Sequence, residues 1–185
     1  MSENRVATIT NHAKMASMED ERAICRFLYE EAELVDNMWW DEWLDCLHED
    51  IDYWAPVREN RVARERKEEY YPKGTSVYFE ESKAFLKQRV VRLQTQKAWA
   101  EEPPSRSRRI LSNIRVDEID TDTFAVRSNF MVYRSRGERY HDTVAGERRD
   151  IIVRAPESTF GFLIKDREIR FDMATILVKN LSLFY

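Results

Sequence analysis

Ala98-Trp-Ala-Glu-Glu-Pro-Pro-Ser-Arg-Ser-Arg-Arg-Ile-Leu-Ser-Asn113 divides the chain into two parts with different hydrophobic periods. Before it, apolar residues recur at helical spacing; from Ser107 onward they alternate. Pro103-Pro104 is a stop signal, because the residue before a proline resists the helical region. An arginine-rich turn follows and a strand begins. Helices first and then a run of strands means an α+β chain, with the helices packed on one face of an antiparallel sheet.

Working back toward the N-terminus, Ser17 is a candidate N-cap, with Glu19, Asp20 and Glu21 in the first turn. Ile24, Phe27, Leu28, Ala32, Val35, Met38 and Trp39 then make an apolar stripe. Trp40, Trp43, Leu44 and Leu47 predict a second, short helix, and residues 51–57 alternate like a strand that Pro56 places at an edge or an end. Residues 58–74 are so charged that they read as a long surface excursion. A third helix is expected from about Glu80 to Trp99, burying Phe85, Leu86, Val90 and Leu93.

Toward the C-terminus, Ile110, Ser112, Ile114 and Val116 are expected to share one strand face. Phe124, Val126, Ser128, Phe130 and Val132 form the next strand after an Asp120-Thr-Asp turn. A third strand spans 139–154. A fourth begins at Phe160, a turn is expected at Asp166-Arg167, and a fifth covers 168–179. Residues 1–16 read as a flexible N-terminal arm, and 17–185 as a single domain.

Composition narrows the function. The 185 residues are enough for one real core. The net charge of −4 comes from 30 basic and 34 acidic residues mixed along the chain, which is no footprint for nucleic acid. No run of about 18 apolar residues exists to span a membrane. The start lacks the apolar core of a secretory signal. Two cysteines, Cys25 and Cys46, both on expected helices, read as free thiols of a cytoplasmic protein.

The same scarcity bears on iron. A Rieske cluster takes two Cys and two His. Here one Cys-x-His exists, at Cys46-Leu-His48, and it has no second half. A mononuclear site wants two His and a carboxylate, but only His12, His48 and His141 are present. No metal-binding residues, and no iron cofactor site, are therefore expected in this chain. An acid–base site is the rival reading: Asp36, Asp41, His48, Tyr53 and His141 could converge in a cavity as a stand-alone isomerase or dehydratase. Carboxylates beside an aromatic stripe are more often caps and solvated faces, and Trp39, Trp40, Trp43 and Trp54 are more simply core. No glycine-rich nucleotide loop or nucleophile elbow occurs.

Arginines mark a different kind of surface. Arg106, Arg108, Arg136, Arg148 and Arg149 cluster around the strand ends with acidic residues interleaved, a pattern that suits ion pairs between strands or subunits. Phe184 and Tyr185 close the sequence with an apolar tail that should dock on its own core or on a neighbour. Those seven residues are the interface candidates.

Six segments, in order, resemble the small (beta) subunit of Rieske-type aromatic-ring-hydroxylating dioxygenases. They are Glu31-Ala-Glu-Leu-Val-Asp36 through Trp43 into Glu49-Asp-Ile-Asp-Tyr-Trp-Ala-Pro-Val-Arg58; Phe79-Glu-Glu-Ser-Lys-Ala-Phe-Leu86; Trp99 through Arg108 to Ile114; Val132-Tyr-Arg-Ser-Arg136; Ala145-Gly-Glu-Arg-Arg-Asp150; and Lys179-Asn-Leu-Ser-Leu-Phe-Tyr185. The fifth, with Gly161-Phe162, resembles the biphenyl and alkylbenzene branch; Ile169-Arg-Phe-Asp-Met173 departs from the regular apolar strand expected there. The resemblance implies a cone-shaped fold with a curved antiparallel sheet, shared with ketosteroid isomerase and scytalone dehydratase. It implies a structural, non-catalytic chain assembled as three alpha and three beta subunits. The alpha chain would carry a Rieske [2Fe-2S] cluster and a mononuclear Fe(II). The complex would cis-dihydroxylate an aromatic ring with O2 and NADH-derived electrons, delivered by a reductase and often a ferredoxin.

Overall fold

The computed structural model describes residues 14–95, 105–137, 140–175 and 183–185, and the side chains of all of these except 66–68. The Pro103-Pro104 stop, Trp99, most of the N-terminal arm and the expected strand beyond residue 175 lie outside the described residues. The elements are β1 Lys14–Met15, α1 Met18–Asp36, α2 Trp40–Asp45, β2 Leu47–Pro56, a 3₁₀ turn at Ala63–Glu68, β3 Val77–Glu81, α3 Lys83–Gln94, β4 Arg106–Asp120, β5 Thr123–Arg136, β6 Tyr140–Arg154 and β7 Phe162–Phe171.

The seven strands form one sheet in the order β1-β4-β5-β6-β7-β2-β3. β4 to β7 are the expected antiparallel meander, while β2 runs parallel to β7. The sheet curves without closing and α1 lies in its concavity: Ile24, Phe27, Leu28 and Val35 are buried with Val116, Phe124, Val126, Ile152 and Phe162. Ser17 caps α1 by accepting the Asp20 N–H at 3.1 Å. The N-terminal arm is anchored at its end, where Lys14 and Met15 pair with Glu118 and Asp117 and Ala16 is buried.

Several local expectations change. α1 ends at Asp36 because Met38 adopts a left-handed conformation (φ 60) and the Trp39 N–H turns back to the Leu34 carbonyl. Met38 and Trp39 are therefore exposed, and the four tryptophans make no single cluster: Trp43 is buried inside, whereas Trp54 is buried on the opposite face of the sheet beneath Lys73. Val77–Glu81 is a strand paired with β2, and the third helix starts only after Ser82. Phe85 points outward, 60% exposed.

In β4 a bulge at Asn113 (φ 52) inserts an extra residue. It moves the inward parity from Arg109 and Leu111 to Ile114 and Val116, so Ile110 and Ser112 face out. No turn occurs at Asp166-Arg167. β7 runs straight through them, with a register shift opposite Ile151/Ile152. The charged excursion lies over the outer face: Arg58 pairs with Glu69, and the Tyr70 hydroxyl donates to the Phe171 carbonyl at 3.1 Å.

Candidate functional site

In a cone fold the place for chemistry is the interior between α1 and the sheet, and here, among the described residues, it holds buried charges and aromatic rings. Glu31 sits on the apolar stripe of α1, one turn after Phe27 and Leu28, so the helix delivers a carboxylate to the core. Arg148 and Asp150 share the inward parity of Val144 and Ile152 on β6, and Arg167 that of Ile169 and Phe171 on β7. The four charges meet. Arg167 donates to both Asp150 oxygens, from Nε and Nη2 at 3.0 Å each, and from Nη1 to Glu31 Oε1 at 2.8 Å. Arg148 Nη1 reaches Glu31 Oε2 at 3.4 Å, and the Trp43 indole N–H donates to Glu31 at 2.9 Å.

Two arginines and two carboxylates leave no net charge; Glu31, Asp150 and Arg167 are closely paired, whereas Arg148 makes one long contact, to Glu31. Burial alone would raise the Glu31 pKa; Arg167 and Arg148 outweigh it and hold the carboxyl at about 2. Arg167 is shifted upward against its own desolvation by Asp150 and Glu31, whereas burial and the Arg167 charge lower Arg148.

The rest of the space is taken by the chain's own last residues. Phe184 is 1% and Tyr185 2% exposed. The Phe184 ring packs on Trp43 and Trp40, with centroids at 4.3 and 5.5 Å, and the Arg89 guanidinium lies over it at 4.4 Å. The Tyr185 ring meets Phe171 edge-on at 4.9 Å and Phe130 at 6.1 Å.

The five acid–base candidates are not brought together. Asp36 accepts from the Ser107 hydroxyl, the Arg109 backbone N–H and the Arg109 guanidinium, which fixes the end of α1 to β4. Asp41 is exposed beside Gln94. His48 is half-buried on β2, its Nδ1 accepting the Asp50 N–H at 3.0 Å, and His141 is exposed on β6. Tyr53 alone reaches the interior, where its hydroxyl donates to the Tyr185 carbonyl at 2.8 Å and burial raises its pKa.

The donor set does not fit an iron–sulfur cluster. Cys46 is buried with its thiol directed at the Glu42 carbonyl and its pKa driven up by burial, and Cys25 is on α1. No group of three or more potential ligands occurs among the described residues.

Of the interface candidates, Arg148, Phe184 and Tyr185 lie inside this chain, held by Glu31 and by the aromatic walls, and are not on its surface. Arg106 and Arg108 are exposed, and Arg136 and Arg149 are half-buried. Arg108 stands near exposed Ile110 and Tyr133 on the outer face of β4 and β5. Beside them a groove of about 430 Å³ runs between Ile110, Met131, Ala145 and Asp172. Gly146 lines it, and glycine is required there: a Cβ would stand 2.2 Å from the Arg170 carbonyl oxygen.

Glu31, Asp150 and Arg167 escape a sequence reading that takes charge as solvated. Their signal is parity, since each occupies an inward position of its element.

Known proteins define the class to which this cone, with an ion network in its interior, belongs. The chain belongs to the ring hydroxylating beta subunit family, whose model matches residues 30–178. It is 39% identical over 178 residues, covering 96% of this chain and 98% of the relative, to the beta subunit of the 3-phenylpropionate/cinnamic acid dioxygenase of Photorhabdus laumondii subsp. laumondii. It is 38% identical to the biphenyl 2,3-dioxygenase beta subunit of Rhodococcus jostii, covering 89% of this chain and 88% of that one. Its fold is that of a chain of naphthalene 1,2-dioxygenase solved with indole bound, with a TM-score of 0.82 at 22% identity over 100% of this chain and 95% of the other. A scytalone-dehydratase-type protein of Novosphingobium aromaticivorans shares the cone at a TM-score of 0.59 and 18% identity, over 84% and 86% of the two chains. The protein is a beta subunit of an aromatic-ring-hydroxylating dioxygenase.

Proposed function

We propose that this chain is a non-catalytic, structural subunit of a terminal oxygenase, assembled with an alpha subunit in a complex of three alpha and three beta chains. The observation that carries the reading is the occupied cone: among the described residues, the interior between α1 and the sheet contains Glu31, Arg148, Asp150, Arg167, Phe184 and Tyr185. The Rieske cluster and the mononuclear Fe(II) then belong to the alpha chain, and electrons from NADH reach it through a reductase and often a ferredoxin. The complex works in the cytoplasm, in keeping with two free thiols. It cis-dihydroxylates an aromatic ring in hydrocarbon breakdown. Relatives named for phenylpropionate, biphenyl, chlorobenzene and benzene support a single-ring or aryl-substituted benzene as the substrate class.

Arg106, Arg108, Arg136 and Arg149 remain the candidates for subunit contacts. Around the apolar Ile110, Met131 and Tyr133 they would form the charged rim that sets partner choice.

Affinity purification of the chain from its native host tests the reading. The expected result is a co-purifying larger chain with Cys-x-His and Cys-x2-His motifs and a Rieske absorption spectrum. A colourless chain with no such partner would overturn it and bring back the acid–base reading.

A further inference from the structure

Three consecutive carbonyl groups at the end of the sequence are each held by a different arginine. Arg89 Nη2 donates to the Leu183 carbonyl at 3.1 Å, Arg109 Nη2 donates to that of Phe184, and Arg167 Nη1 donates to that of Tyr185 at 3.3 Å. These arginines come from α3, β4 and β7, elements far apart in sequence that converge on one strip of backbone. Tyr53 adds a fourth fixed point, its hydroxyl accepting the Tyr185 N–H at 2.6 Å while donating to the Tyr185 carbonyl. Each ring has its own recess, Phe184 between Trp40, Trp43 and Arg89, and Tyr185 against Phe130 and Phe171. This is how a receptor grips a peptide: donors fix the backbone and pockets select the side chains.

A second observation is independent of those contacts. Among the described residues, Arg148 Nε and Nη2 and the Ser128 hydroxyl of the walls, and the Tyr185 hydroxyl of the segment itself, are buried without a hydrogen-bond partner. Ser128 and Arg148 face each other across β5 and β6, one inward row from Phe130, which the Tyr185 ring meets. A segment that was simply part of the core would be matched by its surroundings, since buried donors are normally paired. Here the walls offer more donors than the segment uses.

We propose that Leu183–Tyr185 is an internal ligand: the cone retains a peptide-binding site for a backbone strip carrying two adjacent aromatic residues, and this chain fills that site itself. The same site, emptied, takes such a peptide in trans. The assignment does not depend on which partner the chain assembles with.

The experiment compares the full-length chain with a variant lacking residues 183–185, each titrated with a synthetic peptide of residues 179–185. Removing two fully buried aromatic side chains should lower Tm by about 10 °C. Peptide at about millimolar concentration, the effective concentration of a tethered segment, should restore at least half of that loss. It should leave the full-length chain, whose site is occupied, unchanged. The same peptide carrying Phe184→Ala and Tyr185→Ala should restore nothing.

Should the truncated variant prove insoluble, the full-length Phe184→Ala/Tyr185→Ala double variant takes its place, and the unsubstituted peptide should raise its Tm by several degrees. No Tm shift with the unsubstituted peptide, equal shifts from both peptides, or equal binding by the wild-type chain would each overturn the proposal.

Discussion

Glu31, fully buried, and Asp166, half-buried, are carboxylic acids on opposite faces of one sheet, and their acidities move in opposite directions. Glu31, on the concave side, is drawn down to about 2 because Arg167 and Arg148 outweigh its burial. Asp166, beneath the charged excursion on the outer face, is pushed up to about 6, first by burial and then by Asp150 and Glu168, with Lys73 opposing. Among the described residues its Oδ1 has no hydrogen-bond partner. The difference is in the partners and not in the residue type: a charge inside a fold is tolerated to the extent that donors are fixed around it.

Breaking the concave network should have the largest effect. Arg167→Ala strands Glu31 and Asp150 in the core and should cost about 3–5 kcal/mol, read as a lower denaturation midpoint at unchanged m-value. Acid tests the same network without mutation. The Glu31 pKa is lower in the folded chain than the ordinary 4.5. Its contribution is therefore present above about pH 4.5 and is lost as the pH falls toward 2, amounting to about 3 kcal/mol by linkage. Glu31→Gln should flatten that part of the stability profile, and an unchanged acid limb would remove Glu31 from the account.

The outer face should respond with the opposite sign and a smaller size. Because the Asp166 pKa is raised, folding is favoured below about pH 4 and loses that advantage as the pH rises through 6. Asp166→Asn should thus stabilise the chain by about 2 kcal/mol above pH 7 and change little at pH 4; destabilisation at both values would contradict the assignment. Arg26 and Glu30, an exposed pair one helical turn apart with Arg26 81% exposed, set the baseline. Arg26→Ala should change stability by less than about 0.5 kcal/mol, as thermal melts can check.

The same contrast explains what could be read from the sequence. The α+β order, the α1 stripe and the β5 alternation were legible because apolar periodicity reports burial directly. The Asn113 bulge was not: one inserted residue swaps the faces of Ile110 and Leu111 without any change in composition. Asp166-Arg167 looked like a turn because adjacent charges usually lie at the surface, whereas the fold puts one on each face of β7 and provides Asp150 and Glu31 for the inner one. Glu31 was visible as a polar residue within an apolar stripe. Its arginine partners are 117 and 136 positions away, on β6 and β7, and no local pattern connects them. Tyr53 and Asp36, candidates for an acid–base site in the sequence, instead hold Tyr185 and the end of α1.

The most direct test of the proposed scaffold role is turnover of an aromatic substrate in the presence of O2, with electrons from NADH delivered by the proposed reductase and ferredoxin. It is measured first on the purified chain and then on the chain reconstituted with its alpha subunit. The account predicts a cis-dihydrodiol from the reconstituted complex and none from the chain alone. Product formation by the chain alone would contradict it.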